Sequence, residues 1–358
     1  DLIRSRGLGD VYKRQGFDMV VLNVAMHGSD ELAKDIAKAT DQRDVHTYVH
    51  KEIHDNTTRI ISIIRPARYP ERLRPLLSAI SAGRVGIIEI NSIDAVFGEV
   101  LVAYSSSNIK KGIAVIKPKE GDWVDEEMVK KMFAQAGLNE WTFVEPDGLA
   151  IRGKLYELMD QIEDELTNSA ASPLVVCIDQ HFNVKGIGLV AIGYVQCGTL
   201  NVHDDIHILP SNAVGTTKSL QVMDDDVPKA QSGDRVGIAI RGAKDDSLSS
   251  GSIIVRPEIN DKKTNTQVPL SVIEHKLSEL ALEKSPFQKR TLSPGDVIHV
   301  SLDLQFTVGR IKSVTDNNMI VEWDSPVYVR RENMVPAIIA QLDSKPRIIG
   351  RAMLDKKD

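Results

Sequence analysis

The texture of this chain changes once, sharply, and the change restricts the fold more than any single residue. From Met19 to about Ala170, apolar runs alternate with amphipathic stretches. Met19–Met26 reads as a buried strand, and the Leu32/Ile36 spacing places a helix over Asp30–Lys38. His46–Glu52 and Arg59–Ile64 read as a strand pair around the turn residues His54-Asp55-Asn56-Thr57. Helices are then predicted over Pro70–Ala82, Asp94–Tyr104, Asp125–Ala136 and Leu155–Leu166, and strands over Val85–Ile90, Ile113–Ile116 and Trp141–Val144. Such alternation implies an α/β domain with a mostly parallel sheet and helices on both faces. After the small polar linker Asn168–Pro173, short β runs recur about every ten residues. They are punctuated by Lys185-Gly186, Cys197-Gly198, Asp204-Asp205 and Ser232-Gly233-Asp234. A second polar stretch, Asn260–Asn265, precedes another β-rich block. Two all-β barrel domains after an α/β domain is the layout this supports, with boundaries at 16–170, 171–258 and 259–358. Residues 1–15 stand apart. Asp10-Val11-Tyr12-Lys13-Arg14-Gln15 is what a common transposon-based sequencing adaptor yields when translated in frame, so 1–15 reads as non-native read-through with the natural start lost. No apolar centre makes it a signal peptide.

Composition excludes several classes. No apolar run in the 358 residues approaches membrane-spanning length. Aromatics form 5% of the chain, too few for a base-stacking surface, and the formal charge of −6 argues against a broad nucleic-acid face. DNA is therefore not an expected partner. Cys177 and Cys197 lie in consecutive expected strands without a CxxC or a Cys/His neighbour, the pattern of a buried, reduced pair.

The stretch Ile178-Asp179-Gln180-His181-Phe182-Asn183-Val184-Lys185-Gly186-Ile187-Gly188 is followed by Gly198-Thr199-Leu200, Gly233-Asp234-Arg235-Val236-Gly237 and Arg241-Gly242. This series resembles the second domain of translational GTPases of the elongation factor Tu type, especially the selenocysteine-specific factor. Leu292-Ser293-Pro294-Gly295-Asp296 and Arg347-Ile348-Ile349-Gly350 resemble turns and closing strands of the third domain. The glycines read as barrel-building residues, since a tightly closed barrel needs them at its corners. The resemblance implies an aminoacyl-tRNA end beside the loop of Asp179 and Arg235. For these two, a structural role and a ligand role both stand.

In that family the front domain binds GTP with magnesium, and here each nucleotide element departs from its pattern. Gly28-Ser29-Asp30-Glu31-Leu32-Ala33-Lys34-Asp35 fits GxxxxGK[ST] spacing, but Ala33 replaces the second glycine and Asp35 the magnesium hydroxyl. Lys34 survives, and an aspartate is itself able to ligate magnesium. A plain strand-to-helix turn is the competing reading. The family's Asp-x-x-Gly-His maps onto Pro66, Tyr69 and Pro70, which supply neither metal ligand nor water-orienting group. Only Ala39–Val45 remains for the effector loop, too short for a switch segment. The base-recognition motif is replaced by Ile116-Lys117-Pro118-Lys119, with Asp122 able to stand in for its aspartate; a solvated loop acid is the stronger reading of Asp122. No catalytic residue is assigned. GTP or GDP with Mg2+, if bound, is expected to bind weakly through Gly28 and Lys34.

Other clusters carry less. His46, His50 and His54 would align for a metal only on a helix; on the expected strand they do not, and no metal site is assigned. Asn56-Thr57-Thr58 fits a sequon by chance, and Asp224-Asp225-Asp226 reads as an exposed loop. Arg330-Arg331 reads as solvated charge or as a grip on tRNA phosphate. The expectation is therefore a cytoplasmic, elongation-factor-like protein that engages tRNA or the ribosome and does not hydrolyse GTP efficiently. A working GTPase with unconventional ligands, and a protein-interaction scaffold without RNA, are the alternatives.

Overall fold

The structure, a computed structural model, describes residues 18–42, 45–316 and 318–357. The proposed read-through, 1–15, lies outside them. The front domain is a seven-stranded sheet in the order β2-β3-β4-β1-β5-β6-β7. Its strands are β1 (Asp18–His27), β2 (Lys38–Gln42), β3 (Val45–His54), β4 (Thr57–Pro66), β5 (Val85–Ile90), β6 (Gly112–Ile116) and β7 (Trp141–Phe143). The ladder from β4 to β7 is parallel, whereas β2 and β3 run antiparallel at one edge. Asp55 and Asn56, both at positive φ, make the two-residue turn between β3 and β4, as the turn residues predict. The helices are α1 (Asp30–Ile36), α2 (Arg74–Ala82), α3 (Ala95–Ser105), α4 (Glu126–Gln135), α5 (Gly148–Gln161) and α6 (Glu163–Ala170).

Successive β1 residues point to opposite faces, and the two faces bury different partners. Leu22, Val24 and Met26 pack with Leu32 and Ile36 of α1 and with Ile151, Leu155 and Met159 of α5. On the opposite face, Ala25 packs with α2 and α3 in a cluster that continues into both barrels, through Val175, Cys177, Val272 and Leu304. Val21 on that face, with Ile60 of β4, joins the core of the middle barrel directly. Here a barrel covers part of the sheet that a helix would otherwise cover. Hydrogen bonds reinforce the contact: Asn23 Nδ2 to Gly233 O (2.8 Å), Gln196 Nε2 to Ser81 O (2.9 Å) and Arg84 Nη2 to Gln196 O (2.6 Å).

The middle barrel contains β8 (Val175–Val184) and β9 (Gly188–Cys197), followed around the wall by Arg235–Arg241, Ala213–Val222, Asp205–Leu209 and Ile253–Val255, which returns to β8. The third is a closed barrel of Val272–Lys284, Asn318–Arg330, Gln305–Thr315, Val297–Leu302, Ala337–Ala340 and Ile348–Lys356. At Gly193 a Cβ would lie 2.3 Å from the Cys177 carbonyl oxygen, so the β8–β9 approach requires glycine there. Both cysteines are buried and reduced.

Four expected boundaries shift. Helix α1 stops at Ile36, and Lys38–Gln42, read as the end of that helix and the start of a loop, is an edge strand on β3. Helix α2 starts at Arg74 rather than Pro70. The closing helix is two helices broken at Ile162. The polar stretch 260–265 lies in a small hairpin of Ile259–Asp261 and Thr266–Val268. No described helix is long and apolar enough to cross a membrane.

Candidate functional site

An open α/β sheet binds ligands at the carboxyl ends of its strands, where the strand order reverses. The chain leaves β1 for β4 on one side and then crosses through α2 to β5 on the other, so the reversal lies between β1 and β5. Gly28 and Ser29 follow β1 at this point, and helix α1 begins at once. Ser29 is its N-cap: the hydroxyl accepts from the Leu32 N–H at 3.1 Å, and the Ser29 carbonyl accepts from the Ala33 N–H at 3.2 Å. Residues 30–33, which a phosphate loop would hold as an open arch of N–H groups, are helix instead.

The Ser29 N–H itself is taken. It donates to the carboxylate of Glu89, which is 3% exposed and stands near the carboxyl end of β5. A Cβ on Gly28 would lie 2.9 Å from Glu89 Oε2, so glycine is what admits this carboxylate. A helix start attracts an anion through its free N–H groups and its dipole. Here the protein supplies that anion from its own sheet.

Lys34 lies in the last turn of α1. Its ammonium bends back 2.6 Å to Asp30, and the side chain is 53% exposed. Asp30 also accepts from the Tyr48 hydroxyl at 2.6 Å, and Arg65 Nε donates to that hydroxyl at 3.2 Å. The Lys34 and Tyr48 hydrogen bonds hold the Asp30 carboxyl below its usual range. Asp35 is exposed; its carbonyl accepts from Arg152 Nη2 at 3.2 Å where α1 meets α5. Asp122 lies in an exposed turn, with its N–H on the Lys119 carbonyl at 2.9 Å. Of the four sequence-derived nucleotide candidates, only Gly28 reaches the crevice floor; Lys34 and Asp35 sit on α1 and Asp122 on the loop before α4.

The segment after β4 is tied down. Tyr69 is buried and donates to Glu99 Oε1 at 3.0 Å. Arg347 of the third barrel donates to the same carboxylate through Nε (3.0 Å) and Nη2, and to the Pro70 carbonyl at 2.9 Å. The His27 ring meets Tyr69 edge-on at 5.5 Å. Burial lowers the His27 pKa to about 4, outweighing the Asp94 carboxylate, and Arg65 adds to the lowering. His27 is therefore neutral at pH 7.

Asp179 and Arg235, in contrast, are brought together. Asp179 is the extra residue of a bulge between Ile178 and Gln180, and Arg235 pairs with Tyr194 on the intervening strand β9. Burial would lower the Arg235 pKa, but the Tyr194 hydroxyl and the Asp179 and Asp41 carboxylates raise it on balance. Arg235 Nε is buried without a hydrogen bond among the described residues. Asp41 belongs to β2, so the front domain closes over this part of the middle barrel.

Arg330 corrects an expectation. It is 5% exposed, and Nε and Nη2 both donate to the Asp303 carboxylate, so it neither faces solvent nor offers a phosphate grip. Arg331 is exposed and donates from Nε to the Leu270 carbonyl at 2.8 Å. His50 bonds the Tyr156 hydroxyl (2.9 Å), and His54 is exposed beside Asp55. Among the described residues no three His, Cys, Asp or Glu side chains converge on a metal position.

A mixed sheet with a topological reversal, followed by two six-stranded barrels, is the architecture of a translational GTPase. Comparison with known proteins agrees. The family description "Elongation factor Tu domain 2" matches residues 188–255. The chain is 27% identical over 299 residues to an uncharacterised protein of Methanocaldococcus jannaschii, covering 83% of this chain and 88% of that one. It is 29% identical over 154 residues to the selenocysteine-specific elongation factor of the same organism, covering 43% of this chain and only 30% of that factor. The solved structure of translation elongation factor SelB from Methanococcus maripaludis, in complex with a GTP analogue, superposes with a TM-score of 0.73 at 19% identity, over 96% of this chain and 80% of that one. The chain thus resembles the elongation factor Tu and selenocysteine-factor branch of the translational GTPases.

Proposed function

We propose that this protein is an elongation-factor-like body that associates with tRNA or the ribosome, and that its front domain holds GTP weakly or not at all and does not turn it over efficiently. The observation that carries the second half is the Glu89 carboxylate on the Ser29 N–H at the start of α1. A phosphate entering there would meet a like charge. At about 4 Å and an effective dielectric of about 20, that repulsion is on the order of 4 kcal/mol, or roughly a thousandfold in affinity. The substitutions at Ala33, Asp35, Pro66 and Pro70 point the same way. For the first half, the support is resemblance together with the Asp179–Arg235 pair. The guanidinium is half-buried beside Asp179, Tyr194 and Asp41, and a polar chain end would reach it from its exposed edge.

Titration with a fluorescent GTP analogue in magnesium tests the nucleotide reading; saturable micromolar binding with steady hydrolysis overturns it and favours a working GTPase using Asp35. A tRNA-binding assay at two salt concentrations tests the other half. Salt-sensitive binding that weakens in Arg235→Met supports it. No binding of tRNA or of ribosomes at either salt overturns it in favour of a protein-interaction scaffold.

A further inference from the structure

The three domains meet around a cavity of about 60 Å³ at the amino end of β5, across the sheet from the nucleotide crevice. Its wall is rich in donors. Arg84, just ahead of β5, spends one terminal nitrogen on Gln196 O (2.6 Å) and Ser232 Oγ (3.3 Å), and its other N–H groups make no hydrogen bond among the described residues. The Ser301 hydroxyl of the third barrel and the Asn108 amide of the front domain line the same space, also without a protein partner there. Of the two carboxylates in the wall, Asp303 spends both oxygens on Arg330. Glu165 also reaches the cavity, but it is exposed on α6, where solvent and salt screen its charge.

We propose that this junction is a binding site for a small oxyanion of phosphate or carboxylate type, held by Arg84 with Ser301 and Asn108. Size and chemistry agree. The space is too small for a nucleotide and large enough for one tetrahedral or planar anion in place of a few waters. Burial and the neighbouring Arg330 push the Arg84 pKa down, and Glu165, Cys197 and Asp303 offset them only in part. An anion adds opposite charge beside Arg84 and contributes acceptors to donors that otherwise face only water. Because the wall is shared by all three domains, occupancy favours their assembled arrangement over any separated one.

The test uses the full chain at constant ionic strength, with inorganic phosphate, acetate or chloride as the anion, read by thermal melting and calorimetric titration. The expected result is a saturable rise in melting midpoint with phosphate or acetate and none with chloride; which of the two binds tells a phosphate from a carboxylate site. Arg84→Met should weaken the anion's affinity by about 10- to 100-fold, the scale of a lost charge-assisted hydrogen bond. Arg84 also tethers the middle barrel, so Asn108→Ala, on an exposed side chain, serves as the second variant and should weaken binding several-fold without changing the anion-free midpoint. Lys34→Ala, at the opposite end of the sheet, should leave binding unchanged. Absence of a saturable anion effect, or full affinity in Asn108→Ala and Arg84→Met, overturns the proposal and leaves water as the occupant.

Discussion

Glu99 and Arg347 join helix α3 of the front domain to the third barrel, and both side chains are about 10% exposed. Removing one member leaves a buried charge without its partner, a change that costs about 3–5 kcal/mol. Glu99→Ala strips Arg347 of its carboxylate and Tyr69 of its nearer acceptor, leaving the Pro70 carbonyl for the guanidinium and the Val96 carbonyl, at 3.4 Å, for the hydroxyl. Arg347→Met leaves Glu99 with the Tyr69 hydroxyl and the residue-347 backbone N–H, at 3.4 Å, and with no charged partner. Replacing both, Glu99→Leu with Arg347→Met, removes the desolvation cost along with the attraction and is expected to lie within about 1–2 kcal/mol of the parent. The assay is urea unfolding followed by two probes: fluorescence of Trp323, buried in the third barrel, in a background with the front-domain Trp123 and Trp141 changed to Phe, and circular dichroism of the front-domain helices. The parent should show coincident transitions, and each single variant should separate them, the barrel parting from the front domain at lower urea. Acid should act in the same direction. Burial alone would raise the Glu99 pKa, but the Arg347 and Tyr69 contacts bring it below the usual 4.5. Its contribution is complete above that value and is lost as pH falls through the depressed native pKa. Single-variant costs below about 1 kcal/mol, or additive effects in the double variant, would refute the reasoning, because a coupled buried pair cannot give either.

Three further outcomes follow from local geometry. Burial raises the Asp234 carboxyl to about 7 against the Gln231 N–H and Lys229, so the folded state holds a proton the unfolded chain releases. That contribution is present below about pH 4 and fades as pH rises to about 7, and Asp234→Asn should flatten the dependence of the urea midpoint over that window. Gly148→Ala drives a methyl to within 2.3 Å of the Asp35 carbonyl oxygen, a backbone atom, and should lower stability by about 1–3 kcal/mol in the same assay. Burial raises the pKa of both Cys177 and Cys197, so neither should react with Ellman's reagent at pH 8 until urea unfolds the chain.

Strands and helices with a strong apolar period stood out from residue pattern alone. Val85–Ile90 is uniformly buried, as every residue but Glu89 leads one to expect, and the Asp55-Asn56 turn has the residues that tolerate positive φ. The edge strand β2 had no such signal. Lys38-Ala39-Thr40-Asp41-Gln42 is polar and only half-buried at best, and it is extended because β3 offers a free ladder to pair with. The break at Ile162 was hidden for a related reason: the apolar period runs on through it, and the interruption lies in the backbone hydrogen bonds.

The crevice was half visible by the same logic. Ala33, Asp35, Pro66 and Pro70 stand out because the spaced motifs that the chain resembles state which chemistry each position needs. Glu89 states nothing by itself. It is one acid inside a run of Val, Gly and Ile, and its partner, the Ser29 N–H, lies sixty residues earlier in the chain. Burying it on β5 demands a donor nearby, and the N-terminus of α1 is the donor that parallel pairing of β1 with β5 brings alongside. The arginine pair yields to a still simpler rule. Arg330 and Arg331 are adjacent at the end of a strand, where consecutive side chains face opposite sides, so both could not have been solvated on one surface. One had to turn inward and find a carboxylate, and Asp303 is where it found one.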